Sequence, residues 1–242
     1  MAADNPNLIL DEPVSCPEDV AAFDLAKVRD RFRVVTLGDS ITQCSRWERP
    51  LRWPSVVEKA LGDLCVVINS GIGGTSSSLG LFRWERDVAA IQPHCVVINF
   101  LLNDSHIRHY ECRSSYCVQC SRDRMDANLR IMVERTRATG AEVVFWTSPP
   151  VPEFPEAYKS QTHCTIQLEI LAHYLLTVER VADDLQVPLA NFWRTFPTIV
   201  GEYPGRYFDR PDGYHSNGAS QPILGEGIAR LVKPVLEAWK AR

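Results

Sequence analysis

Val34-Val35-Thr36-Leu37-Gly38-Asp39-Ser40-Ile41-Thr42 is the stretch from which the fold can be read. Its first half is a short apolar run rich in β-branched residues, which reads as a buried strand. Its second half is a glycine turn that leaves the Ser40 hydroxyl at the strand's tip. Working outward, similar runs recur at Arg33 to Leu37, Cys65 to Asn69, Cys95 to Phe100, Glu142 to Thr147 and Leu189 to Phe192. Helical patterns lie between them. Pro54 to Leu61 starts on a proline, and Asp123 to Thr139 stops at Gly140. Ile166 to Leu185 carries a stripe through Leu171, Tyr174, Leu175, Val178, Val181, Ala182 and Leu185. A last helix begins near Ser220-Gln221-Pro222 and runs through Trp239, with a kink expected at Pro234. Five alternations of strand and helix predict a mostly parallel, doubly wound α/β sheet.

The chain has 242 residues, 45% of them apolar and 23% charged, with a net charge of -4. That composition supports a sizeable core and argues against a polyanionic partner, so nucleic acid is not expected. No stretch of about 18 uncharged apolar residues occurs, which excludes an ordinary helical membrane span. Met1 to Asn7 lacks the basic-then-apolar pattern of a signal peptide, so the expectation is a cytoplasmic protein. Residues 1–30 read as an N-terminal extension and residues 31–242 as one domain. The oligomeric state is left open.

In a parallel sheet the working groups collect at the carboxyl ends of the strands. Ser40 follows the first strand, Gly71-Ile72-Gly73-Gly74 the second and Asn103-Asp104 the third. The glycine loop is not a dinucleotide fingerprint, because Ser76 stands where a third glycine belongs. It serves either as a tight turn or to let a backbone N–H approach a substrate oxygen. Asn103 has an amide suited to a developing oxyanion, and Asp104 suits a helix cap or a loop tie. Near the other end, Asp212-Gly213-Tyr214-His215 sets a carboxylate three residues before an imidazole, so the acid can orient the base. Nucleophile, acid and base then occur in the chain order Ser40, Asp212, His215. The other histidines have no such carboxylate. They read as surface or structural, with His106 and His109 the two nearest to a pocket.

This succession of Gly-Asp-Ser, a glycine block, Asn-Asp and a C-terminal Asp-x-x-His resembles the SGNH/GDSL hydrolase superfamily over about residues 33–239. The resemblance implies a three-layer α/β/α sandwich with a flavodoxin-like, mostly parallel five-stranded sheet. It also implies Ser40 as nucleophile, His215 as base and Asp212 as orienting acid. The oxyanion hole would come from the Ser40 N–H, the Gly74 N–H and the Asn103 side chain. The implied activity is a serine esterase acting on small-molecule esters with short acyl or O-acetyl groups, on carbohydrate or lipid, with no metal or cofactor required. An acyltransferase of the same fold and a catalytically weak binding protein are the alternatives. One position departs from the pattern: Leu101 stands where the family's third block has glycine, and its bulk is expected near the oxyanion site.

A cysteine-rich insertion at about 105–124 follows Asn103-Asp104. Cys112, Cys117 and Cys120 offer three thiolates to a structural zinc, with Cys164 or His163 as a fourth ligand; disulfides or free thiols are the other readings. Cys65 and Cys95 read as small buried hydrophobes. Arg46, Trp47, Arg49, Arg52 and Trp53, just after the nucleophile, either bind a sugar or anionic headgroup or serve as surface and packing residues.

Overall fold

A computed structural model describes residues 14–110, 115–151, 161–201, 204–209 and 213–242. Five strands, β1 (Phe32–Gly38), β2 (Cys65–Gly71), β3 (Cys95–Asn99), β6 (Glu142–Thr147) and β7 (Leu189–Asn191), form one sheet in the order β2-β1-β3-β6-β7. Every neighbouring pair is parallel. Strands β4 (Ile107–Tyr110) and β5 (Ser115–Val118) form a separate antiparallel hairpin within the cysteine-rich stretch.

The helices are α1 (Glu18–Ala21), α2 (Ser40–Gln43), α3 (Trp53–Leu61), α4 (Ser77–Phe82), α5 (Trp84–Asp87), α6 (Leu101–Ser105), α7 (Arg122–Ala138), α8 (Gln161–Asp184), α9 (Phe192–Val200) and α10 (Gln221–Lys240). Strand residues alternate between two cores. Val35 and Leu37 join Leu129, Met132 and Val133 of α7 and Leu171, Leu175 and Val178 of α8. Phe32 and Val34 join Trp53 and Val57 of α3, Phe196 of α9 and Leu224 and Ile228 of α10. Both faces of the sheet are therefore covered, which explains why the strands read as unbroken apolar runs. The result is the expected three-layer α/β/α sandwich.

Strand β2 lies at an edge, where unpaired backbone groups invite association. Here they are capped. Glu58 accepts the Val67 N–H at 2.7 Å, Asp19 accepts the Asn69 N–H at 3.0 Å, and Arg31 donates to the Cys65 carbonyl. Residues 14–30 thus carry contacts to the sheet: Asp19 also pairs with Arg49 at 3.1 Å, and Arg86 donates to the Val14 carbonyl at 3.0 Å.

The order β2-β1-β3 makes β1 the switch point of the sheet, with β2 and β3 on opposite sides. A crevice outside the carboxyl ends of β1 and β3 follows from that topology. Gly38 and Asn99 are paired at the last register position of those strands, so the segments that follow them diverge around the same opening.

Candidate active site

Helix α2 begins immediately after β1. Asp39 is its N-cap, and the carboxylate accepts the Ile41 N–H at 2.9 Å. Thr42, Gln43 and Cys44 donate back to Asp39 and Ser40 carbonyls, which leaves the Ser40 N–H unused by the helix. Burial pushes the Asp39 carboxyl above the usual carboxylate range, opposed by the Ile41 N–H and by the Asn103 side chain. Beneath this turn, Arg83 donates to the Gly38 carbonyl at 2.8 Å and the Ser70 carbonyl at 2.7 Å, and pairs with Asp87. One buried guanidinium therefore ties together the ends of β1 and β2, where Ser40 and the glycine loop begin.

Ser40 Oγ lies 2.8 Å from His215 Nε2, although 175 positions separate the two residues. The His215 loop is held by the Asp209 N–H, which donates to the His215 carbonyl at 2.8 Å, and by the bridge between Phe208 and Ser216. The Tyr214 ring leans on the imidazole, with 4.5 Å between ring centroids. Asp212, the expected orienting acid, lies outside the described residues.

A cavity of about 220 Å³ opens beside this pair. Gly74 and Asn103 line it together with Ser40 and His215, so the structure gathers four separate motifs around one space. Gly74 has φ +72°, a left-handed conformation that suits glycine. Its neighbour Gly73 donates its N–H to Gln43 Oε1 at 3.1 Å, while Gln119 holds the Gly74 carbonyl at 2.6 Å. Ile41, Leu102 and Leu171 supply apolar wall.

His106, one of the two histidines expected nearest to a pocket, borders the cavity. Sequence reasoning missed Tyr214, which also borders it, and Gln167, which accepts the Ile107 N–H and donates to the Ser105 carbonyl, both at 2.8 Å. Tyr214 was within reach, since it adjoins His215; Gln167 sits on α8 and carries no local signal. The expectation for Leu101 is corrected. Leu101 is fully buried in the core beside Phe100 and Leu129, and it is Leu102 that faces the cavity.

Asp104 is the helix cap of the two roles foreseen. Its Oδ1 accepts the Ser77 N–H at 2.7 Å at the start of α4. Burial drives its carboxyl up to about 7. Among the residues after the nucleophile, Trp53 is wholly buried, Arg49 pairs with Asp19, and Arg52 donates to the Trp47 carbonyl at 2.8 Å. Only Arg46 and Trp47 of that group border a depression at the site.

Cys65 and Cys95 are buried free thiols in the strands, with burial raising Cys65 to about 12. Cys112 and the side chains of Cys117, His163 and Cys164 lie outside the described residues. Cys120 is a buried free thiol, 3.6 Å from the hydroxyls of Ser77 and Ser78. Among the described residues no three metal-ligating side chains come together.

Residues 36–221 match the model of the GDSL-like Lipase/Acylhydrolase family. The chain belongs to this family. It is by that membership a carboxylic ester hydrolase. Its relatives include the uncharacterized lipoprotein YqeF of Bacillus subtilis, 27% identical over 219 residues and covering 81% of this chain and 87% of that protein. Esterase TesA of Pseudomonas aeruginosa is 26% identical over 206 residues, covering 84% and 89%. Among solved structures, TesA superposes with a TM-score of 0.61 at 24% identity, over 84% of this chain and 99% of that one. A catalytic mutant of Axe2, an acetylxylan esterase from Geobacillus stearothermophilus, gives 0.64 at 22%, over 83% and 94%. No helix among the described residues is long and apolar enough to cross a membrane.

Proposed function

We propose that this GDSL-family chain hydrolyses small carboxylic esters through an acyl-enzyme on Ser40. The observation that carries the reading is the 2.8 Å contact between Ser40 Oγ and His215 Nε2 at a cavity that also displays Gly74 and Asn103. In this reading Ser40 Oγ attacks the ester carbonyl carbon as its proton passes to His215 Nε2. The Ser40 and Gly74 N–H groups and the Asn103 amide receive the carbonyl oxygen as it becomes negative. Collapse breaks the bond to the alcohol oxygen, which leaves with the His215 proton. Water, deprotonated by His215, then attacks the acyl carbon and frees the acid and Ser40. Asp212 is assigned the orienting role on its sequence position alone.

The acyl group would lie along Ile41, Leu102 and Leu171, an apolar wall that favours a short to medium chain. We infer a cytoplasmic location, with which the thiols left free among the described residues, Cys16, Cys44, Cys65, Cys95 and Cys120, are compatible.

Hydrolysis of p-nitrophenyl acetate, butyrate and octanoate by the wild type and by Ser40→Ala tests the reading, alongside fluorophosphonate labelling. Loss of about 10⁴-fold or more in kcat, together with loss of labelling, is the expected result. Undiminished hydrolysis by Ser40→Ala would remove Ser40 from the mechanism.

A further inference from the structure

The base of the glycine loop is pinned by its own backbone. Ile72 donates its N–H to the Gly38 carbonyl at 3.1 Å, and the Thr75 hydroxyl donates to the Ile72 carbonyl at 2.8 Å. Between these ties Gly73 and Gly74 are exposed and have no side chain to brace them. Two side-chain amides do so instead. Gln43, the last residue of α2, accepts the Gly73 N–H through its Oε1 at 3.1 Å. Gln119 donates from its Nε2 to the Gly74 carbonyl at 2.6 Å. These two bonds flank the peptide unit that carries the Gly74 N–H.

Gln119 belongs to the cysteine-rich insertion, one residue past β5. Its N–H donates to the His106 carbonyl at 3.0 Å, and the Cys120 N–H donates to the Asp104 carbonyl at 3.2 Å. The Tyr174 hydroxyl of α8 donates to the Cys120 carbonyl at 2.5 Å. The backbone at 119–120 is therefore fastened to the segment that follows Asn103, while the Gln119 side chain is fastened to the glycine loop. One residue connects the two segments that supply Gly74 and Asn103 to the cavity.

We propose that Gln119, together with Gln43, is a positioning residue of the oxyanion hole, and that the insertion enters catalysis through it. This rests on the acyl-enzyme reading with the Gly74 N–H as one of the donors. Glycine restrains its own torsions least, so the place of that N–H is set by what holds its flanks. A donor stabilises the developing oxyanion only when it is fixed in advance at hydrogen-bond distance. Neither glutamine lines the cavity, so their effect falls on the charge formed in the reaction and not on substrate binding.

Gln119→Met keeps the length of the side chain and removes its donor. With p-nitrophenyl butyrate, and with rates expressed per serine labelled to completion by a fluorophosphonate, kcat should fall about 10- to 100-fold. KM should stay within about threefold of the wild type, because binding of the neutral ester does not use the hole. A butyl trifluoromethyl ketone probes the hole directly. Ser40 Oγ adds to its carbonyl carbon as the Ser40 proton passes to His215, and the ketone oxygen takes the negative charge. Its Ki should rise by the same factor as kcat falls, to within about threefold. Gln43→Met should show the same split, and it carries the test if Gln119→Met does not fold by circular dichroism. Wild-type kcat per labelled serine in the folded variant overturns the proposal. So does a fall in kcat without the matching rise in Ki, and so does a raised KM at unchanged kcat. Ser40→Ala run in parallel separates the two readings. An active Ser40→Ala sinks both, whereas an inactive one beside an unimpaired Gln119→Met sinks the positioning role alone.

Discussion

Asp104 Oδ1 accepts the backbone N–H of Ser77 at 2.7 Å, so the residue after the candidate oxyanion amide caps the helix beyond the glycine loop. The Asn-Asp and glycine blocks, which border the same cavity, are thereby fastened to each other. The fastening uses a fully buried carboxyl whose burial raises it to about 7.

That carboxyl has a defined effect on stability. Unfolded, it loses its proton near about 3.9; folded, it keeps it to about 7. Between these values the native state binds the extra proton, so this group's contribution falls as pH rises from about 4 to 7 and is level above. Asp104→Asn keeps an acceptor for Ser77 but cannot ionise. Its melting temperature should decline less than the wild type's between pH 5 and 8 in thermal unfolding followed by circular dichroism. Parallel curves would contradict the assignment.

His94 acts with the opposite sign. Its Nδ1 accepts the Arg33 N–H at 2.9 Å and its ring stacks on Phe32 at 5.3 Å. Burial, aided by the charges of Arg33 and Arg242, lowers it to about 4. The unfolded state takes up a proton first, near about 6.5, so this group's stability is complete above that value and is lost as pH falls towards 4. His94→Phe should cost about 1–3 kcal/mol at pH 7 by orphaning the Arg33 N–H. The deficit should shrink at pH 4.5, as measured by urea unfolding at both pH values.

Gly71 has no room for a side chain. A Cβ there would stand 2.1 Å from the Gln43 backbone nitrogen and 2.6 Å from Gln43 Cα. Gln43 ends the short helix that begins with Ser40, so Gly71→Ala must push that helix aside. A displacement of about 1 Å is worth about 10²-fold in rate. Activity on p-nitrophenyl butyrate should fall by that order while circular dichroism still shows a folded protein. Wild-type rates from a folded variant would refute the coupling.

Leu101 and Leu102 should part company when each is truncated. Leu101→Gly removes a wholly buried side chain from a helix and should cost about 3–5 kcal/mol in denaturant unfolding without widening the acyl range. Leu102→Ala, at the cavity wall, should shift the chain-length preference towards octanoate. A broadened acyl range in folded Leu101→Gly would return Leu101 to the pocket.

The sheet was legible because its information is local. The four longer strands centre on short apolar runs, as strands buried on both faces require, and glycine or proline marks the ends of several of the intervening helices. Placing Ser40, Gly74 and Asn103 at one opening also followed from sequence, since the carboxyl ends of parallel strands must share an edge. The 2.8 Å approach of His215 to Ser40 required the three-dimensional path of the final loop. So did the orientation of α6, where successive residues turn by about 100°, so that Leu101 enters the core and Leu102 the cavity. His106, Gln167 and Tyr214 come from separate segments and carry no shared periodicity. Chain order and hydrophobic period determined the layers and the edge where chemistry collects. The direction each side chain faces there was decided by packing between elements far apart in sequence.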